Sequence, residues 1–157
     1  MMLASCLMSG EVREEISIRA STEEVRQCIL SASRILQYYP MGNGSGDIEP
    51  GRSFYCKGRL GVSLFEIVRS DPDHIVLEVH NATACDPPYT AERLKEAAFF
   101  SMLEDWHLED DAGNTKLTRL WRDFEQHRLK MIPVKLLVQI TAKLESRAIK
   151  KHWATRS

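Results

Sequence analysis

The sequence predicts an α+β fold, a curved antiparallel sheet wrapped around one long C-terminal helix. Two observations carry the prediction. From Val12 to Gln126 the chain consists mostly of short runs with strand-like alternation, separated by turn residues. It then closes on an amphipathic stretch, Pro133 to Trp153, whose apolar stripe must be buried against that sheet. At 157 residues the chain has the length of one domain, and folding removes roughly 70% of the surface that such a chain exposes when unfolded. The expected order is βααβββββα with six or seven strands, residues 1–11 forming a loosely ordered extension and 12–157 a single domain.

Val12, Ile16 and Ile18 alternate with Arg13, Glu15, Ser17 and Arg19, the pattern of a half-buried strand. Ser21 and Glu24 have the spacing of a capping box, so a helix starts there, with Val25, Cys28, Ile29 and Ala32 on its apolar face. Ile35, Leu36 and Tyr39 predict a second short helix, ended by Pro40. Gly42 to Gly46 reads GNGSG and is expected to be a flexible turn. It follows a helix and precedes a strand, the reverse of the order that a dinucleotide-binding loop requires.

Three strands follow, Arg52 to Lys57, Val62 to Arg69 and Ile75 to Asn81, and their short connections make them antiparallel neighbours. Asp86-Pro87-Pro88 interrupts regular structure, after which Thr90 to Ala98 can form two helical turns; the whole segment Ala82 to Ala98 is a lid over the cavity mouth or a surface excursion. Phe99 to Glu109 and Thr115 to Gln126 make the longest hairpin. In the last helix Pro133 suits the first position, where a missing N–H costs nothing. Leu137, Ile140, Leu144 and Ala148 form its stripe, widened by Val138, Ala142, Ile149 and Trp153, while Lys135, Lys143, Glu145, Arg147 and Lys150 reach water.

A formal net charge of -1 argues against a general nucleic-acid binder. The basic residues near the end, Arg147, Lys150, Lys151 and Arg156, complement the negative end of the last helix or form a patch for an anionic partner. Cys6, Cys28, Cys56 and Cys85 lie far apart with no C-x-x-C, which predicts reduced cysteines, a cytoplasmic protein and no metal site. No apolar run approaches the ~20 residues needed to cross a bilayer, and MMLASCLMSG has no positive n-region of a secretory signal. No cofactor-binding motif is present.

The segments ISIRASTEEVRQCI (Ile16 to Ile29), YYP (Tyr38 to Pro40), IEPGRSF (Ile48 to Phe54), FEIVRSDPDHIVLEV (Phe65 to Val79) and GNTKLTRLW (Gly113 to Trp121) occur in this order. Together they resemble the helix-grip fold of the START/Bet v1-like superfamily, which includes polyketide cyclase/dehydrase-like proteins. The resemblance spans most of the chain from Val12 onward. Departures are Arg26 and Tyr39, where many members carry an aromatic and a tryptophan, and an apparent insertion from Cys85 to Ala98. The resemblance implies a curved sheet gripping Pro133 to Trp153 around a cavity used for apolar or amphipathic small molecules.

Alternation assigns faces within that cavity. Phe100, Met102, Glu104, Trp106 and Leu108 form the more apolar side of their strand, which brings Glu104 inward. Leu117, Arg119, Trp121 and Asp123 share a face on the next strand, and Val62, Leu64, Glu66 and Val68 bring Glu66 inward. An ionised carboxylate in an apolar cavity requires a partner or a raised pKa. The expectation is therefore a Glu104–Arg119 pair in the cavity wall that orients a polar ligand head, with Trp106 and Trp121 stacking on the ligand's body and Leu137, Ile140 and Leu144 closing the other side. A register slip of one residue would exchange the faces and carry these charges to the solvent. Burial of Glu104 and Arg119 distinguishes the two.

His80 beside Glu78, and His107 beside Asp105, are further acid–base pairs, or else solvated pairs on the outer face. Glu104 and His80 are thus the candidate catalytic residues. Three functions remain open. The leading one is binding or transport of a small hydrophobic or amphipathic ligand, with a cavity of several hundred Å³ expected. The others are a cyclase/dehydrase-like enzyme, which needs polar groups converging in the cavity, and a protein-interaction module with a filled core and an exposed apolar patch. A homodimer is compatible with all three.

Overall fold

The computed structural model describes residues 10–33, 42–58, 61–126 and 134–154. Seven strands form one antiparallel sheet: β1 (Val12–Ile18), β2 (Gly42–Glu49), β3 (Ser53–Gly58), β4 (Gly61–Ser70), β5 (His74–Ala82), β6 (Ala98–Asp111) and β7 (Asn114–Gln126). Their order across the sheet is β1-β7-β6-β5-β4-β3-β2. Apart from β1, each strand lies beside its sequence neighbour, as short connections dictate. The first strand instead pairs with the last, Val12 opposite Trp121 and Ile18 opposite Thr115. Among the described residues three helices pack on the sheet: α1 (Thr22–Ile29), α2 (Ala91–Ala97) and α3 (Val134–Ala154).

The predicted capping box is present. Glu24 N donates to Ser21 Oγ and Ser21 N to a Glu24 carboxylate oxygen, so two orphan amides at the start of α1 are satisfied. Val25, Cys28 and Ile29 then pack into the main core, which also contains Val12, Ile16 and Ile18 of β1. The β6–β7 turn is two residues, Ala112 and Gly113, both at positive φ as a hairpin of this twist requires. Ile35 to Pro40 and Pro133 lie outside the described residues.

One sequence expectation changes. GNGSG is not a turn but most of β2, an edge strand with register shifts on either side of Gly44–Asp47. Glycine is used there for close approach, since a Cβ on Gly46 would come within 2.9 Å of the Tyr55 ring. The helix of the inserted segment packs on the face of the sheet away from the terminal helix, in keeping with the second of its two readings, a surface excursion. Helix α2 packs on β4 and β5, where Leu94 joins Val62, Leu64 and Ala82 in a second, small core. That core covers the back of the sheet, and α3 occupies the front, against β1 and β7.

Candidate functional site

Faces follow from this arrangement. On β6, Phe100, Met102, Glu104, Trp106 and Leu108 point to the front and are all buried, as alternation predicts. On β7, Leu117, Arg119 and Trp121 do the same. The series stops at Asp123, which is exposed, because a bulge opposite Met102 gives Asp123 a positive φ of 54° and turns Phe124 inward instead. On β4 the expectation is reversed. Val62, Leu64 and Glu66 face the back, Val68 is exposed, and Ser63 and Phe65 face the front.

Cross-strand register builds the centre of the site. Glu104 stands opposite Trp121, and Trp106 opposite Arg119. This diagonal lets Arg119 reach Glu104 while its guanidinium lies between the two indoles, 4.0 Å from the Trp106 centroid and 4.4 Å from that of Trp121. Nη2 donates to Glu104 Oε1 and, at 2.6 Å, to Glu145 Oε2 of α3. All three ionisable side chains are buried, with Arg119 only 1% exposed. The Glu104–Arg119 pair is thus present, but the tryptophans stack on the arginine rather than on a ligand.

Glu145 is the residue that sequence reasoning missed. It was assigned to water by residue type, yet it lies three positions after Ala142 and four before Ile149, on the buried face with Val138. The stripe of α3 is rotated accordingly: Val134, Val138, Ala142, Glu145, Ile149 and Trp153 are buried. Leu136, Ile140 and Leu144 are left exposed, which removes Ile140 from the expected cavity wall.

A partly enclosed cavity of about 70 Å³ lies between α3 and strands β3 to β7. Leu137, Val138, Thr141 and Leu144 form its helical side. Phe99, Phe100, Met102 and Trp121 form the apolar part of the sheet side, with Cys56, Ser63 and Asn81 nearby. Glu104 and Glu145 lie at the end further along β6 and α3. Arg119 and Trp106 sit behind them and do not reach the cavity surface. The volume is well below the several hundred Å³ expected, because Phe99, Phe100, Met102 and Trp106 of β6 and their neighbours fill the grip.

Electrostatics distinguish the groups. Burial pushes the Glu145 carboxyl up to about 7, against the pull of Arg119 and with the help of Glu104. Arg119 stays charged, since its two carboxylate neighbours outweigh burial and raise its pKa further. Burial, aided by Glu145, pushes the Cys56 thiol up to about 12, so it is an unreactive thiol. His80 is not in the cavity. It lies on the back with Glu66 and Glu78, 3.6 and 3.3 Å from their nearest oxygens, and burial lowers its pKa despite them. Glu66 is held there by Lys95 of α2 at 2.7 Å. That pairing accounts for its outward position.

Two clusters could offer metal ligands on the back of the sheet, Glu66–Glu78–His80 and His74–Asp105–His107. In the first, the Lys95 ammonium already neutralises Glu66. In the second, Asp105 accepts from Arg122 at 2.6 Å and is 2.8 Å from His74, whose ring stacks on His107. Burial alone would raise the Asp105 pKa, but these hydrogen bonds outweigh it and hold it below the ordinary value.

No protein-family profile matches the chain, and no curated protein matches it in sequence. Solved structures do. A START superfamily protein from Mycobacterium smegmatis superposes with a TM-score of 0.70 at 13% identity, covering 94% of this chain and 99% of that one. DynU16, a protein of the dynemicin biosynthetic locus, gives 0.61 at 16% identity over 94% of this chain and 48% of its own. The Aha1 dimer from Colwellia psychrerythraea gives 0.60 at 12% identity, over 92% and 96%. The chain has the START/Bet v1-like helix-grip fold. No helix among the described residues is long and apolar enough to cross a membrane.

Proposed function

We propose that the protein binds a small amphipathic ligand in the cavity between the sheet and α3. The observation that carries this reading is the placement of two buried carboxylates, Glu104 and Glu145, at one end of a cavity otherwise walled mainly by apolar side chains. A filled interaction module has no need for such a group, because burying charges costs several kcal/mol that apolar packing would avoid. The ligand's polar head meets Glu104 and Glu145, and its apolar part runs past Phe100, Met102, Leu137 and Leu144. The START-like fold of the structural neighbours supports the same use of this space. Cys56 and Cys85, which form no disulfide among the described residues, support a cytoplasmic location. The exposed Leu136–Ile140–Leu144 stripe would serve a homodimer.

One observation favours a second reading, acid–base catalysis. Glu145 borders the cavity and titrates near neutrality, the property wanted of a general acid or base. In that reading Glu145 takes the role expected of Glu104, and His80 has none. Native mass spectrometry of freshly purified protein tests the binding reading. A retained small molecule that is lost on Met102→Trp substitution supports it. An empty interior, with Leu144→Asp abolishing self-association instead, transfers the support to an interaction module.

A further inference from the structure

We infer that the ligand of this cavity carries a protonated amine, seated between Glu104 and Glu145 with its hydrocarbon part leaving past Leu137 and Leu144. The inference rests on the ligand-binding reading above and narrows its substrate class.

The first support is a count of charge. Two carboxylates share one guanidinium, so the buried cluster carries one uncompensated negative charge when all three groups are ionised. Among the described residues, no lysine, arginine or histidine lines the cavity. A single buried charge must be neutralised, by a proton or by a cation from outside. The second support is geometry. Arg119 uses only Glu104 Oε1 and Glu145 Oε2, and the other oxygen of each carboxylate has no hydrogen bond among the described residues. Both carboxylates border the cavity, whereas Arg119 lies behind them.

The remaining polar groups agree. Asn81 gives one of its two amide N–H groups to Ser63 Oγ, and its carbonyl oxygen is an acceptor. The Thr141 hydroxyl donates to the Leu137 and Val138 carbonyls, which leaves its oxygen lone pairs for the cavity. An ammonium brings three donors and no acceptor, so it suits two carboxylates supported by the Asn81 carbonyl and the Thr141 oxygen. A hydrated divalent metal ion matches poorly, because it needs about six oxygen ligands and most of this wall is apolar.

Proton and amine compete for the same negative charge. Glu145 faces Arg119 of β7, Glu104 of β6 and Cys56 of β3, and its carboxyl is pushed up to about 7. Amine binding must therefore release a proton at and below neutrality, and affinity rises with pH through that region.

Isothermal titration of the full chain with hexylammonium, hexanol and hexanoate tests this. Hexylammonium should bind roughly ten- to a hundredfold more tightly than hexanol, the effect of hydrogen bonds to a charged partner, with hexanoate weakest. Its affinity should rise from about pH 6 to about pH 8, while that of hexanol stays level. Glu145→Gln should lower the hexylammonium affinity about tenfold or more and flatten the pH dependence. Glu104→Gln should lower it similarly, and the comparison of three probes on the unsubstituted chain stands whether or not either variant folds. Hexanol or hexanoate binding as tightly as hexylammonium, or calcium or magnesium binding more tightly, overturns the amine inference and leaves the ligand-binding reading intact. Absence of binding by all probes overturns both.

Discussion

Glu145 Oε2 of α3 lies 2.6 Å from Nη2 of Arg119 on β7, so the terminal helix is tied to the sheet by a charge contact inside the core. Glu104 completes it from β6. Removing the shared partner leaves two carboxylates buried without a counter-charge. Arg119→Met should therefore cost about 3–5 kcal/mol of stability by urea denaturation, as broken buried pairs do. Arg119→Lys keeps the charge but not the planar stack between Trp106 and Trp121, and should recover only part of the loss. Arg13→Met, at an exposed pair, should change stability by less than about 0.5 kcal/mol. A near-neutral Arg119→Met would remove the electrostatic account of the core.

The same contact sets a pH dependence of unusual sign. The Glu145 carboxyl has its pKa raised from 4.5 to about 7 in the folded chain, first by burial. The native state then binds the proton more tightly than the unfolded state. Its contribution to stability is complete below about 4.5 and is lost as pH rises toward 7. Subtracting the stability profile of Glu145→Gln from that of the unsubstituted chain should give a curve falling across this window by a few kcal/mol. A difference curve that rises instead would mean that Arg119 dominates burial.

Asp105 behaves oppositely. Its pKa is held below 3.8, so its contribution is present above that pH and lost as pH falls through the lower native value. Asp105→Asn should flatten the acid limb of denaturation while leaving the limb above about pH 4.5 unchanged.

Helix α2 is a cover for the back of the sheet. Leu94, fully buried, seals Val62, Leu64 and Ala82. Leu94→Ala should cost about 2–5 kcal/mol without changing ligand occupancy in native mass spectrometry. A variant of full stability that lost its ligand would make the segment part of the binding site after all.

Gly61 has φ of +129°, and a Cβ there would lie 1.9 Å from the Ala82 carbonyl oxygen. Gly61→Ala should cost more than about 2 kcal/mol, since both conformation and contact oppose it. A mild effect would show that the β4–β5 edge can shift.

Much of the fold was legible because periodicity and turn chemistry act locally. The capping box at Ser21 and Glu24, the alternation on β1 and the inward series on β6 each follow from spacing alone. The misread parts were decided at a distance. Glu66 faces Lys95 of an inserted helix, and no pattern within β4 reports that helix. Asp123 turns outward at a bulge, which shifts parity without altering composition. Glu145 was readable in principle. Its 4-3-4 spacing with Val138, Ala142 and Ile149 marks the buried face, and an inward Arg119, with five N–H donors, calls for more than one acceptor. Its charge is what hides it within an otherwise apolar face.

The small core beneath α2 has a mechanical consequence. Strands β4 and β5 are packed on both surfaces, so their curvature is pinned from behind whatever lies in front. The long helix has no such backing, and its outer flank at Leu136 and Ile140 meets nothing that resists displacement among the described residues. On the binding reading proposed above, room for guests of differing bulk comes from the helix side, while the doubly packed strands act as a fixed anvil.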